Sequence, residues 1–167
     1  MCTSFTIGDK DTGFVYARTM EFTLDLHSEV MVIPAGTKLN GTDRRGEVGK
    51  GGLAWEAKYS VVAPNALGLG LAVDGVNERG LVFGALNFPL SAEYLAVSEE
   101  DQSSAIASVE VGNYLLTTCA TVGDVRSALE RVPVQGVKLA VYGGNVPLVH
   151  YTVHDADRKS TRLNSSH

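Results

Sequence analysis

The chain has 167 residues, of which 44% are hydrophobic and 20% charged, and its formal net charge is −5 at pH 7. This is the composition of an average soluble globular protein, and the length suits one domain with its own core. Without a basic stripe or an apolar run of membrane-spanning length, we expect neither nucleic acid nor a membrane as a partner. The two cysteines, Cys2 and Cys119, are too few for a disulfide scaffold.

Both ends of the sequence carry information about processing. The first ten residues lack a basic segment followed by an apolar one, so we expect a cytoplasmic protein without a secretion signal. Residues 157–167, "DRKSTRLNSSH", are polar and without periodicity, and they look like a translated sequencing adapter. We therefore expect residues 1–156 to form a single domain and residues 157–167 to be a non-native tail outside the fold.

Two runs rich in strand formers, residues 3–7 and 14–18, flank a loop of turn formers and predict a β-hairpin. If paired residues have numbers that sum to 20, Cys2 lies opposite Arg18. Alternate residues of a strand share a face, so Cys2 and Ser4 would point to the same side. A second layer of strands, which we expect to be missing from this chain, would be needed to cover that side.

The middle of the chain reads as short strands and turns. A strand is predicted within residues 29–36, and the glycine-rich, polar residues 40–52 predict a mobile loop. Three further strands follow, with residues 75–80, "GVNERG", as a hairpin turn, and then a surface loop. The three strands are predicted within residues 60–64, 67–75 and 80–88, and the surface loop covers residues 91–106.

The stretch from Glu110 to Arg131 has helical periodicity. A break at "ATVGD" divides it into two helices, with Thr121 as the predicted N-cap of the second. Residues 137–144 and 148–156 are predicted to form a closing hairpin. Strands, then helices, then strands again predict an α+β fold with an antiparallel sheet and helices on one face.

The position of Cys2 suggests chemistry. Removal of Met1 would leave a thiol and a free α-amine on one residue, and an amine with a pKa of about 8 can act as the base for its own thiol. A guanidinium such as that of Arg18 lowers the pKa of a thiol, and Glu21 could orient the amine or Arg18. An incidental cysteine and a surface ion pair are the simpler explanation of each residue alone. Their joint placement on one hairpin favours a site.

The segments "MCTSFTI", "GFVYARTMEF" and "DGVNERGLVFGALNFP" resemble the N-terminal half of the choloylglycine hydrolase and penicillin V acylase family. The resemblance covers residues 2 to about 156. It implies the αββα sandwich of the N-terminal-nucleophile hydrolases, incomplete in this chain. It also implies hydrolysis of linear amide C–N bonds without a cofactor.

The resemblance also implies roles for single residues. Cys2 matches the nucleophile and Arg18 the arginine beside it, while Glu21 falls where most members have aspartate. Asn87 matches a donor to the oxyanion through its backbone N–H, which such a reaction needs. A second oxyanion asparagine and a second arginine of the family lie beyond the region covered.

Other residues leave alternatives open. Met20 and Phe22 flank Glu21 and could line an apolar acyl pocket, but core packing explains them equally well. His150 and His154 share a strand face, yet no cluster of further ligand types supports a metal site, and we expect none.

We therefore predict a cysteine-nucleophile amidohydrolase that acts on N-acyl amides such as conjugated bile salts or penicillin V. Two alternatives stay open: a non-catalytic binding or assembly module in which Cys2 is incidental, and an inactive fragment with an exposed sheet face. The expected partner is a small N-acyl amide substrate, and the formation of homo-oligomers is left open.

Overall fold

The computed structural model describes residues 2–9, 11, 13–22, 25–89, 92–157 and 160–163. Strands outnumber helices in this part of the chain. The strands are β1 (Ser4–Asp9), β2 (Gly13–Arg18), β3 (Val30–Ile33), β4 (Lys38–Thr42), β5 (Gly51–Glu56), β6 (Val61–Pro64), β7 (Asp74–Asn77), β8 (Val82–Asn87), β9 (Ile106–Ala107), β10 (Val134–Gln135), β11 (Val149–His154) and β12 (Ser160–Leu163). The α-helices are α1 (Val111–Thr118) and α2 (Val122–Leu129).

The central feature is a six-stranded sheet in the order β12-β11-β8-β7-β6-β3, in which every neighbouring pair is antiparallel. Two separate antiparallel pairs, β1-β2 and β4-β5, and a short parallel pair, β9-β10, accompany it. The predicted α+β class with an antiparallel sheet is confirmed.

Helix α1 packs on one face of the six-stranded sheet. Leu115 and Leu116 are fully buried in the main core. A Cβ added to Gly112 would lie 2.7 Å from the ring of Phe83, so this close approach of helix and strand requires glycine. No helix in the described part of the chain combines the length and the apolarity that crossing a bilayer requires.

The division of the helical region into two helices is also confirmed. The backbone N–H of Asp124 donates to Oγ1 of Thr121 over 3.1 Å, and Oδ2 of Asp124 accepts the backbone N–H of Thr121 over 3.0 Å. This reciprocal capping box begins α2 at the predicted residue.

The β1-β2 hairpin lies on the opposite face of the six-stranded sheet, across β8 and β11. Oγ of Ser4 bonds Oγ1 of Thr152 over 3.1 Å. The hydroxyl of Tyr16 lies directly over Gly84, where any Cβ would collide with it. The hairpin face that carries Ser4 is thus covered by strands of this chain, and the predicted lack of a covering layer there is wrong.

The predicted register of the hairpin is also wrong, because the observed pairing is shifted by two residues. Ser4 pairs with Arg18, so the numbers of paired residues sum to 22. The loop is centred on Asp11, whose N–H is held by Oδ1 of Asp9 over 2.9 Å. A shift of two residues leaves every side chain on its predicted face, because the side-chain period of a strand is two.

Residues 40–52 do not form a mobile loop. Their two ends belong to β4 and β5, which pair from Lys38 with Glu56 to Thr42 with Gly51. Buried Thr42 donates its backbone N–H to Oε2 of Glu110 over 2.8 Å. The sequence predicted a loop because these residues are polar, but they form a tight turn and a buried hydrogen-bond network instead.

The predicted closing hairpin is wrong as well. Residues 140–142 form a short 3-10 helix, and β11 pairs with β8 on one side and with β12 on the other. Strand β12 falls within residues 157–167, so part of this segment joins the edge of the sheet, with Leu163 buried. The proposed non-native origin of the segment stays a prediction.

Part of the sheet face beside the hairpin is apolar and exposed. Val62 pairs with Val76 and with Val32, so these side chains share the face on which the hairpin lies. They form an exposed valine patch, with exposed fractions of 76% for Val30, 64% for Val32, 50% for Val62 and 42% for Val76.

Candidate active site

Cys2 lies where the chain enters the β1-β2 hairpin. Thr3 and Thr19 continue the pairing, because the N–H of Thr19 donates to the carbonyl of Thr3 over 2.9 Å and the N–H of Thr3 to Oγ1 of Thr19 over 3.0 Å. The half-buried Cys2 is thereby fixed beside the segment that follows β2, with its Sγ 4.0 Å from the carbonyl oxygen of Glu21.

Arg18 ends β2, and its side chain reaches under the hairpin to the six-stranded sheet. Nη1 donates to the carbonyl of Ala85 over 2.6 Å and to that of Val73 over 3.3 Å, and it lies 3.4 Å from Oδ2 of Asp74. The side chains of Arg18 and Asp74 are only 7% and 14% exposed. A guanidinium held by several acceptors in this way is fixed in orientation as well as in charge.

Asn87, the last residue of β8, presents its backbone N–H beyond the end of the neighbouring strand β7. The N–H of Ala85 donates to the carbonyl of Val73 and that of Phe88 to the carbonyl of Leu148, each over 2.9 Å. Because N–H directions alternate along a strand, the N–H of Asn87 points to the same side as that of Ala85. The pairing of β7 with β8 ends at Asp74 and Gly84, so the N–H of Asn87 lies beyond this ladder, and it hydrogen-bonds to the thiol of Cys2.

The surroundings of Cys2 favour its thiolate. Burial raises the pKa of the Cys2 thiol, but backbone hydrogen bonds at Glu21 and Asn87 together with the positive charge of Arg18 outweigh burial, and the pKa is lowered from its ordinary value. The other thiol behaves in the opposite way, because burial raises the pKa of Cys119. Only Cys2 has the lowered pKa of a reactive cysteine.

An apolar cavity of about 100 Å³ opens beside these groups. Cys2, Arg18 and Asn87 form its polar end, and Met20 and Phe22 belong to its wall. Apolar residues from several elements complete it: Leu26, Leu71, Phe83, Tyr142 and Val149. An apolar pocket with a few convergent polar groups is typical of a small-molecule site.

The structure therefore brings Cys2, Arg18, Asn87, Met20 and Phe22 to one cavity. Met20 is 40% exposed at its mouth. The Phe22 ring packs against that of Tyr142, with 6.3 Å between centroids.

Glu21 joins this site differently from the other predicted residues. Its backbone contacts Cys2, while the residue as a whole is exposed. The buried carboxylate beside Arg18 is that of Asp74, which the sequence reasoning missed. The one available signal was an acidic residue directly after the apolar run "LGLGLAV".

The two histidines of β11 lie among aromatic rings. His150 contacts Phe88 edge to face with 4.7 Å between ring centroids, and His154 contacts Tyr16 at 5.5 Å. Among the described residues, no group of three or more His, Cys, Asp or Glu side chains is placed to hold a metal ion.

Comparison with solved structures identifies the fold. The C2A mutant of conjugated bile acid hydrolase from Clostridium perfringens superposes with a TM-score of 0.79 at 20% identity, covering 98% of this chain and 48% of that one. Its R18L variant gives 0.77 at 18% identity with the same coverage. Penicillin V acylase from Agrobacterium tumefaciens gives 0.76 at 21% identity and covers 98% of this chain and 46% of that one.

A sequence relative points the same way. The bile salt hydrolase/transferase of Clostridium perfringens is 27% identical over 170 residues, which is 96% of this chain and 46% of the relative. The chain thus spans about half the length of the proteins it matches. The model of the linear amide C–N hydrolases, choloylglycine hydrolase family, matches residues 2–166. This match over nearly the whole length shows that the chain belongs to the choloylglycine hydrolase family of linear amide C–N hydrolases.

Proposed function

We propose that Cys2 is the nucleophile of an amidohydrolase that cleaves linear C–N bonds of N-acyl amides through an acyl-thioester. One observation carries the proposal. The sulfur of Cys2 lies at the polar end of an apolar cavity, with the guanidinium of Arg18 and the backbone N–H of Asn87 beside it.

In the first half of the reaction, the thiolate of Cys2 attacks the amide carbonyl carbon. A C–S bond forms and the C=O π electrons move to the oxygen, whose negative charge the N–H of Asn87 stabilises by donating a hydrogen bond to it. Collapse of this intermediate breaks the C–N bond. The leaving amine takes the proton that the Cys2 thiol gave up, and the acyl group stays on sulfur as a thioester.

In the second half, water attacks the thioester. Removal of Met1 would expose the α-amine of Cys2, which takes the thiol proton in the first half and the water proton in the second. The backbone carbonyl of Glu21 lies 4.0 Å from Sγ of Cys2, and its carboxylate would orient the ammonium form. Loss of the thiolate releases the carboxylic acid and restores the enzyme.

The substrate class follows from the cavity and the relatives. Its wall is apolar, so the acyl group would be apolar and the amide would lie at the polar end. The names of the relatives point to conjugated bile salts and penicillin V as probes. Because the chain spans about half of each relative, this activity is proposed for a protein of the relatives' full length that begins with this chain.

The test is intact-mass spectrometry of that protein during incubation with a glycine-conjugated bile salt or penicillin V. We expect mature protein without Met1, an acyl adduct on Cys2 and release of the amine. A Cys2→Ala variant should lose both adduct and hydrolysis, whereas a Cys119→Ala variant should keep them. Hydrolysis that persists in Cys2→Ala would refute the proposal. Retention of Met1 with substrate binding but no turnover would favour the non-catalytic module instead.

A further inference from the structure

We propose that Asp74 is a positioning residue, which holds the guanidinium of Arg18 in the orientation that presents it to Cys2. This inference rests on the proposed function of Cys2 as a nucleophile. It assigns Asp74 no contact with substrate.

Arg18 is held by backbone carbonyls and by the carboxylate of Asp74. Two of the three acceptors of its Nη1 come from consecutive residues at the start of β7, the carbonyl of Val73 at 3.3 Å and the carboxylate of Asp74 at 3.4 Å. The third is the carbonyl of Ala85 on β8. The carbonyl of Thr19 accepts from Nε over 3.3 Å, and Asp74 adds a counter-charge to these backbone contacts.

Asp74 is itself held in place. Its Oδ1 accepts the N–H of Gly75 over 2.8 Å. The charged or titratable side chains that act on it, Arg18 and Tyr16, both come from β2. Burial and the negative charge of Asp74 together raise the pKa of the Tyr16 hydroxyl to about 12. Asp74 therefore joins β7 to the hairpin that carries the nucleophile.

Replacing Asp74 can distinguish two roles: positioning of Arg18, and a direct effect of the Asp74 charge on the pKa of Cys2. Burial, backbone hydrogen bonds at Glu21 and Asn87, and Arg18 are the largest influences on the pKa of the Cys2 thiol. If Asp74 acted only through its negative charge, its removal would leave the pKa of Cys2 unchanged or lower it. If Asp74 positions Arg18, its removal weakens the effect of Arg18 and raises that pKa.

The experiment measures the rate of Cys2 alkylation by iodoacetamide from pH 5 to pH 10 on the 167-residue chain, with the modified cysteine identified by peptide mass spectrometry. In Asp74→Asn we expect the titration midpoint to move to higher pH and the rate at pH 7 to fall about threefold to tenfold. Asp74→Glu, which keeps the charge but displaces it by a methylene group, should shift the midpoint less. Circular dichroism checks that each variant folds.

The matched control is Glu78→Gln, which removes one negative charge from the exposed turn at the other end of β7. It should leave the profile unchanged. If Asp74→Asn does not fold, an Asp74→Glu profile identical to the parent overturns the proposal by itself. A midpoint that is unchanged or lower in folded Asp74→Asn overturns it as well. These results would overturn the role of Asp74 without refuting the proposed hydrolysis. Conversely, persistent hydrolysis in Cys2→Ala would refute that function without changing how Asp74 affects Cys2 alkylation.

Discussion

The carboxylate of Glu110 is a buried acceptor that ties β4 to the segment before α1. Its Oε2 accepts the backbone N–H groups of Thr42 over 2.8 Å and Ala107 over 3.0 Å, and its Oε1 accepts the hydroxyl of Thr42 over 2.5 Å. The two residues between Ala107 and Glu110, Ser108 and Val109, belong to the wall of the apolar cavity. The stability of this wall should therefore depend on Glu110.

Glu110→Ala leaves the N–H groups of Thr42 and Ala107 buried without an acceptor. Each unsatisfied buried donor costs about 1–3 kcal/mol, so the free energy of unfolding should fall by about 2–6 kcal/mol. Glu110→Gln keeps an oxygen for both N–H groups, and its amide can donate to the Thr42 hydroxyl. We expect a loss below about 1.5 kcal/mol for this variant at neutral pH.

The two variants also differ from the parent in their response to pH. Burial raises the pKa of Glu110, even though its hydrogen bonds lower it. A group whose pKa is raised in the fold contributes stability that is complete below the ordinary glutamate value of about 4.3 and is lost as the pH rises through the raised value. The stability of Glu110→Gln relative to the parent should therefore increase as the pH rises above about 4.

Urea unfolding followed by circular dichroism across this pH range measures both effects. Glu130→Ala and Glu130→Gln, at the exposed end of α2, are the matched controls and should change little. The reasoning is refuted if Glu110→Ala is no less stable than Glu130→Ala. It is equally refuted if Glu110→Gln loses stability relative to the parent as the pH rises.

Three further predictions concern the thiols, the cavity and the exposed sheet face. Iodoacetamide at pH 7 should alkylate Cys2 faster than Cys119, as peptide mass spectrometry will show, because their pKa values are shifted in opposite directions; equal rates in the folded chain would contradict an activated thiol. In the full-length protein, Phe22→Ala should raise KM for N-acyl substrates more than it lowers kcat, because it removes apolar wall from the cavity and none of its polar groups; steady-state kinetics that show a fall in kcat with an unchanged KM would contradict this. Val32→Thr combined with Val62→Thr should reduce self-association of the 167-residue chain in analytical ultracentrifugation, because both side chains belong to the exposed valine patch; unchanged association would assign it to another surface.

The helices and the position of Thr121 could be predicted because local sequence determines them. Helical periodicity and a capping box lie within a few residues of each other, and no distant contact is needed to recognise them. The faces of the hairpin residues were predictable for a similar reason, since the period of two survives an error of two in the register. The register itself depended on the conformation of the loop around Asp11.

The partner of Arg18 could not be found in this way. Asp74 is 56 residues away in sequence, and their contact exists because the hairpin lies across β8 and β11 and the side chain of Arg18 reaches the start of β7. Glu21, three residues from Arg18, was the nearer choice, but a residue close in sequence need not point to the same place. Residues 40–52 could not be predicted for the same reason. Their glycines and charged residues are typical of a loop, and the hairpin that they form is held by Glu110, which is distant in sequence.

Strand β7 stops short of Asn87, so the main-chain amide at the end of the neighbouring strand lies outside the ladder between the two strands. Such a donor is immune to almost every missense change at its own position: alanine or serine there would keep it, and among the standard residues proline alone would abolish it. Insertions in the segment before Asp74 would affect this donor more, because one further residue pair between β7 and β8 would engage the N–H of Asn87 in a sheet hydrogen bond. Side chains around the cavity could therefore be substituted without disturbing the N–H of Asn87, whereas insertions next to it would disturb it.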